Sequence, residues 1–217
     1  MGGSTTAQRW VSRAQWLAGF TIAYNLLEGV VAIGFGLEEG SISLAGFGMD
    51  SLIEVASAGL VLWRFRGEQA RGEGPAKERE RRATLGIGVL FVLLATGVVL
   101  GAALQLAAGE HPRTTVPGAV VAAVSLAFMG WLWRAKKRAG EVLDSATVAK
   151  DAGCSLACFQ LSAVLLAGSL VFWLAPALWW ADAVAAVVLA LFIGREGVET
   201  VRAARHEDFD GGCGCGG

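Results

Sequence analysis

The chain has 217 residues, 54% of them hydrophobic and only 17% charged, with a formal net charge of -1. Its mean hydropathy is +0.54. A soluble domain is charged at about a quarter of its positions, so this composition excludes an ordinary soluble globular protein and indicates an integral membrane protein. The four cysteines stand as one pair in an apolar run, Cys154 and Cys158, and one pair near the end, Cys213 and Cys215. That spacing excludes the disulfide framework of a small secreted protein, and no cleavable signal peptide is evident.

Arg9 and Arg13 lie in a polar start, residues 1–14. The first apolar run covers roughly residues 15–37 and contains Tyr24, Asn25 and Glu28. The second covers roughly 41–65 and carries Asp50 and Glu54. Arg64 to Arg82 reads as a polar connection dense in Arg, Lys and Glu, in which Gly72, Gly74 and Pro75 are expected to break any early helix. Its interspersed Glu residues argue against nucleic acid as a partner. The third run is roughly 84–108 and the fourth roughly 116–133, where Pro117 suits a first helical turn. Arg134, Lys136, Lys137 and Arg138 follow and read as a basic connection outside the hydrocarbon. The fifth run is roughly 144–174 and the sixth roughly 181–194, with room to extend toward 201. Each run is near the length needed to cross about 30 Å of hydrocarbon at about 1.5 Å per residue. The expected fold is an all-α integral membrane protein, a bundle of six transmembrane helices over 15–201, followed by a flexible Cys/Gly-rich tail over 202–217.

Six crossings put both termini on one side. Of the 18 Lys and Arg residues, 16 fall in the start, the connections after the second and fourth runs, and the final segment. The opposite turns hold Arg113 alone, and Lys150 lies within the fifth run. Cytoplasmic segments are enriched in Lys and Arg, so both termini are expected in the cytoplasm, with the chain in the cell (inner) membrane.

Two stretches carry the chemistry. Asp50 and Glu54 are four residues apart and share a helix face. Cys154 and Cys158 repeat that spacing, and Asp151 lies three residues before Cys154. Counting from the run ends at about 1.5 Å per residue puts Asp50 and Glu54 about 13 and 19 Å from the outer surface, and the thiols about 15 and 21 Å from the inner one. Both pairs reach the middle of the bilayer, where carboxylates are costly and mark function. Two carboxylates facing two thiols supply four ligands for a divalent metal. Taken alone, the cysteines read better as small buried hydrophobes, and only the carboxylates at matching depth reverse that reading. Asp151 reads as a third oxygen ligand, as a group hydrogen-bonded to the ligands, or as a partner of Lys150. Glu28 and Asn25 either line the same cavity or pack between helices. Gly97-x-x-x-Gly101 permits close helix contact, inside the bundle or between two copies in a homodimer. In the tail, His206, Cys213 and Cys215, with Asp208 and Asp210, read either as a soft-metal trap or as a disordered Gly-rich end.

These residues resemble the cation diffusion facilitator family of proton-coupled metal exporters. The stretch from Ser41 to Glu54, with Asp50-Ser51-Leu52-Ile53-Glu54, looks like the family's second helix, whose two acids bind the transported ion. Asp151-x-x-Cys154-x-x-x-Cys158 looks like its fifth helix, which usually offers a His and then an Asp at the two positions filled here by thiols. The resemblance covers about 17–198. About 20 residues follow Gly194, so the family's cytoplasmic metal-binding domain is expected to be absent. The resemblance implies a transporter, not an enzyme, with no tightly bound cofactor. Its substrates would be protons and a divalent metal, zinc by family habit and cadmium or mercury by thiolate chemistry. Two rivals remain: a membrane thiol-disulfide oxidoreductase built on Cys154 and Cys158, and a metal-binding membrane protein that does not transport.

Overall fold

A computed structural model describes residues 3–39, 42–66, 73–109, 116–178, 180–209 and 211. The described residues form six long helices: α1 Gly3–Glu39, α2 Ile42–Phe65, α3 Glu73–Ala108, α4 Val116–Leu143, α5 Ala146–Leu174 and α6 Ala181–Arg205, with a short 3₁₀ turn at Pro176–Leu178. Among the described residues, Ala7–Glu38, Gly46–Phe65, Lys77–Ala108 and Ala146–Gly168 are long and apolar enough to cross a membrane unaided. Leu27, Val30, Leu93, Leu100, Leu104, Trp173, Leu191 and Phe192 all point outward. A surface this apolar would associate in water, and it suits a lipid-facing belt. The chain is an all-α, multi-pass membrane bundle.

Four helices are longer than the apolar runs suggested: α1 starts at Gly3 and not near 15, α6 ends at Arg205, beyond 201, and the excess in α3 and α4 bears on the site. α3 begins at Glu73, not near residue 84, so Gly74 and Pro75 start the helix and do not break it. Proline is tolerated there because the first-turn N–H groups have no helical partner anyway. α4 runs ten residues past Trp133 to Leu143. Its buried positions are Ala122, Ser125, Met129, Leu132, Lys136 and Ala139, alternately three and four residues apart. This is one continuous inward stripe, and Lys136 lies on it.

The principal packing pairs are α1 with α2, α3 with α6, and α4 with α5. Small residues let the first two approach closely. A Cβ at Gly48 would meet Gly29 O at 2.9 Å, and one at Gly197 would meet Gly88 O at 3.0 Å. Gly97 and Gly101 have open space instead and line a cavity. α2 and α5 join these pairs: α2 also touches α3 and α5, and α5 also touches α3 and α6. α2 presents Phe47, Ser51, Glu54, Ala58, Val61 and Phe65 as its buried stripe. α5 buries Asp151, Cys154, Ser155, Cys158 and Ser162. The two candidate stretches therefore lie on the two central helices.

Candidate metal-transport site

Glu54 on α2 faces α5. Its Oε1 accepts a hydrogen bond from Ser155 Oγ, one residue beyond Cys154, and another from Lys136 Nζ at 3.2 Å. The Lys136 ammonium also lies 3.0 Å from Asp151 Oδ2 and donates to Ser155 Oγ at 2.9 Å. Ser57, almost one turn beyond Glu54, donates to Asp151 Oδ1 at 2.7 Å. Three helices thus close one buried network of two carboxylates, one ammonium and two hydroxyls. Lys136 is 1% exposed, Glu54 2% and Asp151 1%. An isolated charge in a membrane interior costs about 3 kcal/mol or more, so each of these depends on the others. Glu54 Oε2 is buried and has no hydrogen-bond partner among the described residues.

The network corrects the reading of Lys136 as part of a basic connection outside the hydrocarbon. Arg134, Lys137 and Arg138 on the same helix are exposed, while Lys136 falls on the interior stripe. Counting positive charges near a helix end cannot separate the two cases. The 3-4 periodicity of α4, followed beyond Trp133, does. Lys150 pairs with Glu196 on α6 at 2.6 Å, so Asp151 is left to Lys136.

Asp50 is half-buried and lies on the wall of a cavity of about 360 Å³ formed by α2, α3, α5 and α6. Leu94, Gly97, Gly101, Gln105 and Leu161 contribute to its lining. The cavity adjoins α2 one turn from Glu54. Cys154 and Cys158 are free thiols, both buried. Cys154 lies within electrostatic range of Asp151, Glu54 and Lys136. Cys158 lies within range of Glu54, Glu28 and Asp50. Among the described residues, however, no three His, Cys, Asp or Glu side chains converge closely enough to hold a metal ion. Near Glu54 and Asp151 the space between acids is taken by the Lys136 ammonium.

Glu28 ties α1 to α2. It accepts from Tyr24 Oη and from Ser51 Oγ, each at 2.9 Å. Asn25 donates to Thr21 O at 3.0 Å, and its buried Oδ1 has no partner among the described residues. Both lie on the buried stripe of α1 with Ala18, Thr21 and Ala32. His206 is exposed, at the end of α6, and its Nδ1 lies 3.4 Å from Asp208 Oδ2. Cys213, Cys215 and Asp210 lie outside the described residues, so the tail trap has no geometry to weigh.

A buried ion network joins α2, α4 and α5 inside a polytopic membrane bundle. Residues 76–207, more than half of the chain, match the cation efflux transmembrane domain. The chain belongs to the cation efflux family, whose members are transporters of metal cations and not enzymes. It is also similar to transmembrane protein 163 of Xenopus laevis, 26% identical over 210 residues, which cover 94% of this chain and 74% of that protein. The matched domain takes in α3 to α6. Asp50 and Glu54 precede it, within the part covered by the longer similarity.

Proposed function

We propose that this protein exports a divalent, thiophilic metal ion from the cytoplasm in exchange for protons, as a multi-pass protein of the cell (inner) membrane with both termini cytoplasmic. Asp50, Glu54, Cys154 and Cys158 are the ligands, and Asp151 joins them or orients them. The observation that carries the reading is the contact between Glu54 and Ser155. It brings the acid face of α2 against the thiol face of α5 inside the bundle. Thiols and carboxyls release protons when they bind a metal, which links ion binding to proton exchange. Thiolates favour zinc, cadmium and mercury over magnesium and manganese. The continuous cation efflux match supports transport over mere binding. Alternating access requires α2 and α5 to shift against their neighbours.

The test is flux into proteoliposomes under a pH gradient with zinc, cadmium and manganese supplied together. Wild type is expected to carry zinc and cadmium and to leave manganese behind. Cys154→His with Cys158→Asp is expected to retain zinc flux and to lose the preference for cadmium. Identical ranking by both proteins would show that the thiols are not ligands. A dithiol exchange activity abolished by Cys154→Ser, with no metal flux, would establish the oxidoreductase instead.

A further inference from the structure

Lys136 is not used by the transport reading, yet it holds the centre of the site. Building on that reading, we propose that Lys136 is a tethered cation that occupies the Glu54–Asp151 pair while no metal is bound, and that a divalent ion enters by displacing its ammonium.

Charge balance is the first argument. One ammonium stands between two carboxylates, 3.2 Å from Glu54 Oε1 and 3.0 Å from Asp151 Oδ2. It supplies a single positive charge to a pair that a divalent ion neutralises fully. The second argument is the unused acceptor. Glu54 Oε2 is buried without a partner among the described residues, and leaving such a group unsatisfied is expensive. A resident ammonium that engages only one oxygen leaves room for a better cation. The third is access, since the cavity beside Asp50 opens one turn away along the same helix. The fourth is reach. Lys136 comes from α4, a helix that carries none of the four proposed ligands, on a flexible four-carbon stem. Its ammonium makes point contacts, unlike the fixed fork of Arg, and can be exchanged without moving α2 or α5. Its presence also accounts for the absence, among the described residues, of a converged ligand set around Glu54.

The consequence is competition. The ammonium keeps the acids compensated in the metal-free protein, which would otherwise bury unpaired charge. It also lowers the affinity for metal, so that the ion can be released after it has been bound.

Zinc and cadmium binding to the purified full chain, measured by titration calorimetry, tests this. Lys136→Met is expected to bind both metals at least ~10-fold more tightly, because a cation about 3 Å from the ligands is removed. Lys136→Arg is expected to bind them more weakly than wild type, because a forked guanidinium holds carboxylates better. A purely structural Lys136 would give loss with Met and recovery with Arg, the opposite order. Should Lys136→Met fail to fold, Asp151→Asn is compared with Asp151→Asn/Lys136→Met, which carries the same net charge as wild type. Tighter binding by the double variant supports displacement, and equal or weaker binding overturns it. Metal binding by wild type that Met and Arg leave unaltered overturns the role of Lys136 alone. If neither wild type nor any variant binds metal, the metal site falls and this proposal with it.

Discussion

Two buried clusters in this protein are built from the same parts and end differently. At one end of the bundle, Glu80 on α3 meets Arg64 of α2, and Ser145 and Thr147 at the start of α5. Its Oε1 accepts from Ser145 Oγ and from Thr147 N, each at 2.7 Å, while Oε2 accepts from Arg64 Nε. Ser145 also caps α5 by accepting from Val148 N at 3.3 Å. In the centre, Glu54 meets Lys136 and Ser155 through Oε1, and Oε2 has no partner among the described residues. Each cluster pairs an acid with a cation and a serine of α5. The first satisfies both oxygens of its carboxylate and fixes three helices together. The second holds one acceptor in reserve, beside free thiols and near a cavity. A fully satisfied network stabilises a single arrangement, whereas a partly satisfied one can exchange partners.

That contrast breaks most sharply in transport. Glu54→Ala and Asp50→Ala are each expected to reduce metal flux in proteoliposomes to the liposome background while leaving a folded protein. Lys136 keeps Asp151 as its partner when Glu54 is removed, so the bundle has no uncompensated ammonium. Wild-type flux in either purified variant would remove the site from the α2 face. Next in size is Glu80→Ala, which removes the carboxylate that Arg64 Nε, Ser145 Oγ and Thr147 N all donate to. Removing one partner of a buried pair costs about 3 kcal/mol or more, and the melting temperature in detergent should fall accordingly. Metal ranking by the molecules that do fold should not change. A Glu80 variant of unaltered stability and altered metal ranking would reverse the two assignments. The smallest effect sharpens the comparison by making one substitution in each cluster. Ser145→Ala removes an N-cap and should cost about 1 kcal/mol of stability with metal affinity unchanged. Ser155→Ala frees Glu54 Oε1 from one donor and should change zinc affinity, read by calorimetry, more than it changes stability.

The bundle was legible because hydropathy is a local property. Runs of apolar residues near the length of a bilayer crossing define helices wherever they pack, and α2 began and ended within a residue of its run. The acids and thiols were legible because side chains four residues apart share a face of any helix. The boundaries of α3 and α4 were not, because polar residues at a membrane surface continue a helix as readily as they end it. Glu80 looked like one of many charges in a connection, and only its placement against Ser145 and Thr147, more than 60 residues away, makes it a staple.

What the sequence determined by itself is the class of the protein and the chemistry of its inward faces: six helices, two acids, two thiols and Asp151 a turn before Cys154. The tertiary structure decided how those groups are partnered. Lys136 is one of four basic residues within five positions, and its composition marks it as no different from Lys137. The helical phase of α4 turns it inward, and the packing of α4 on α5 and of α2 on α5 sets two carboxylates around it. Charge pairing inside a membrane depends on distances of a few ångströms between helices far apart in the chain. No local pattern encodes those distances, and they set which carboxylates the ammonium of Lys136 meets.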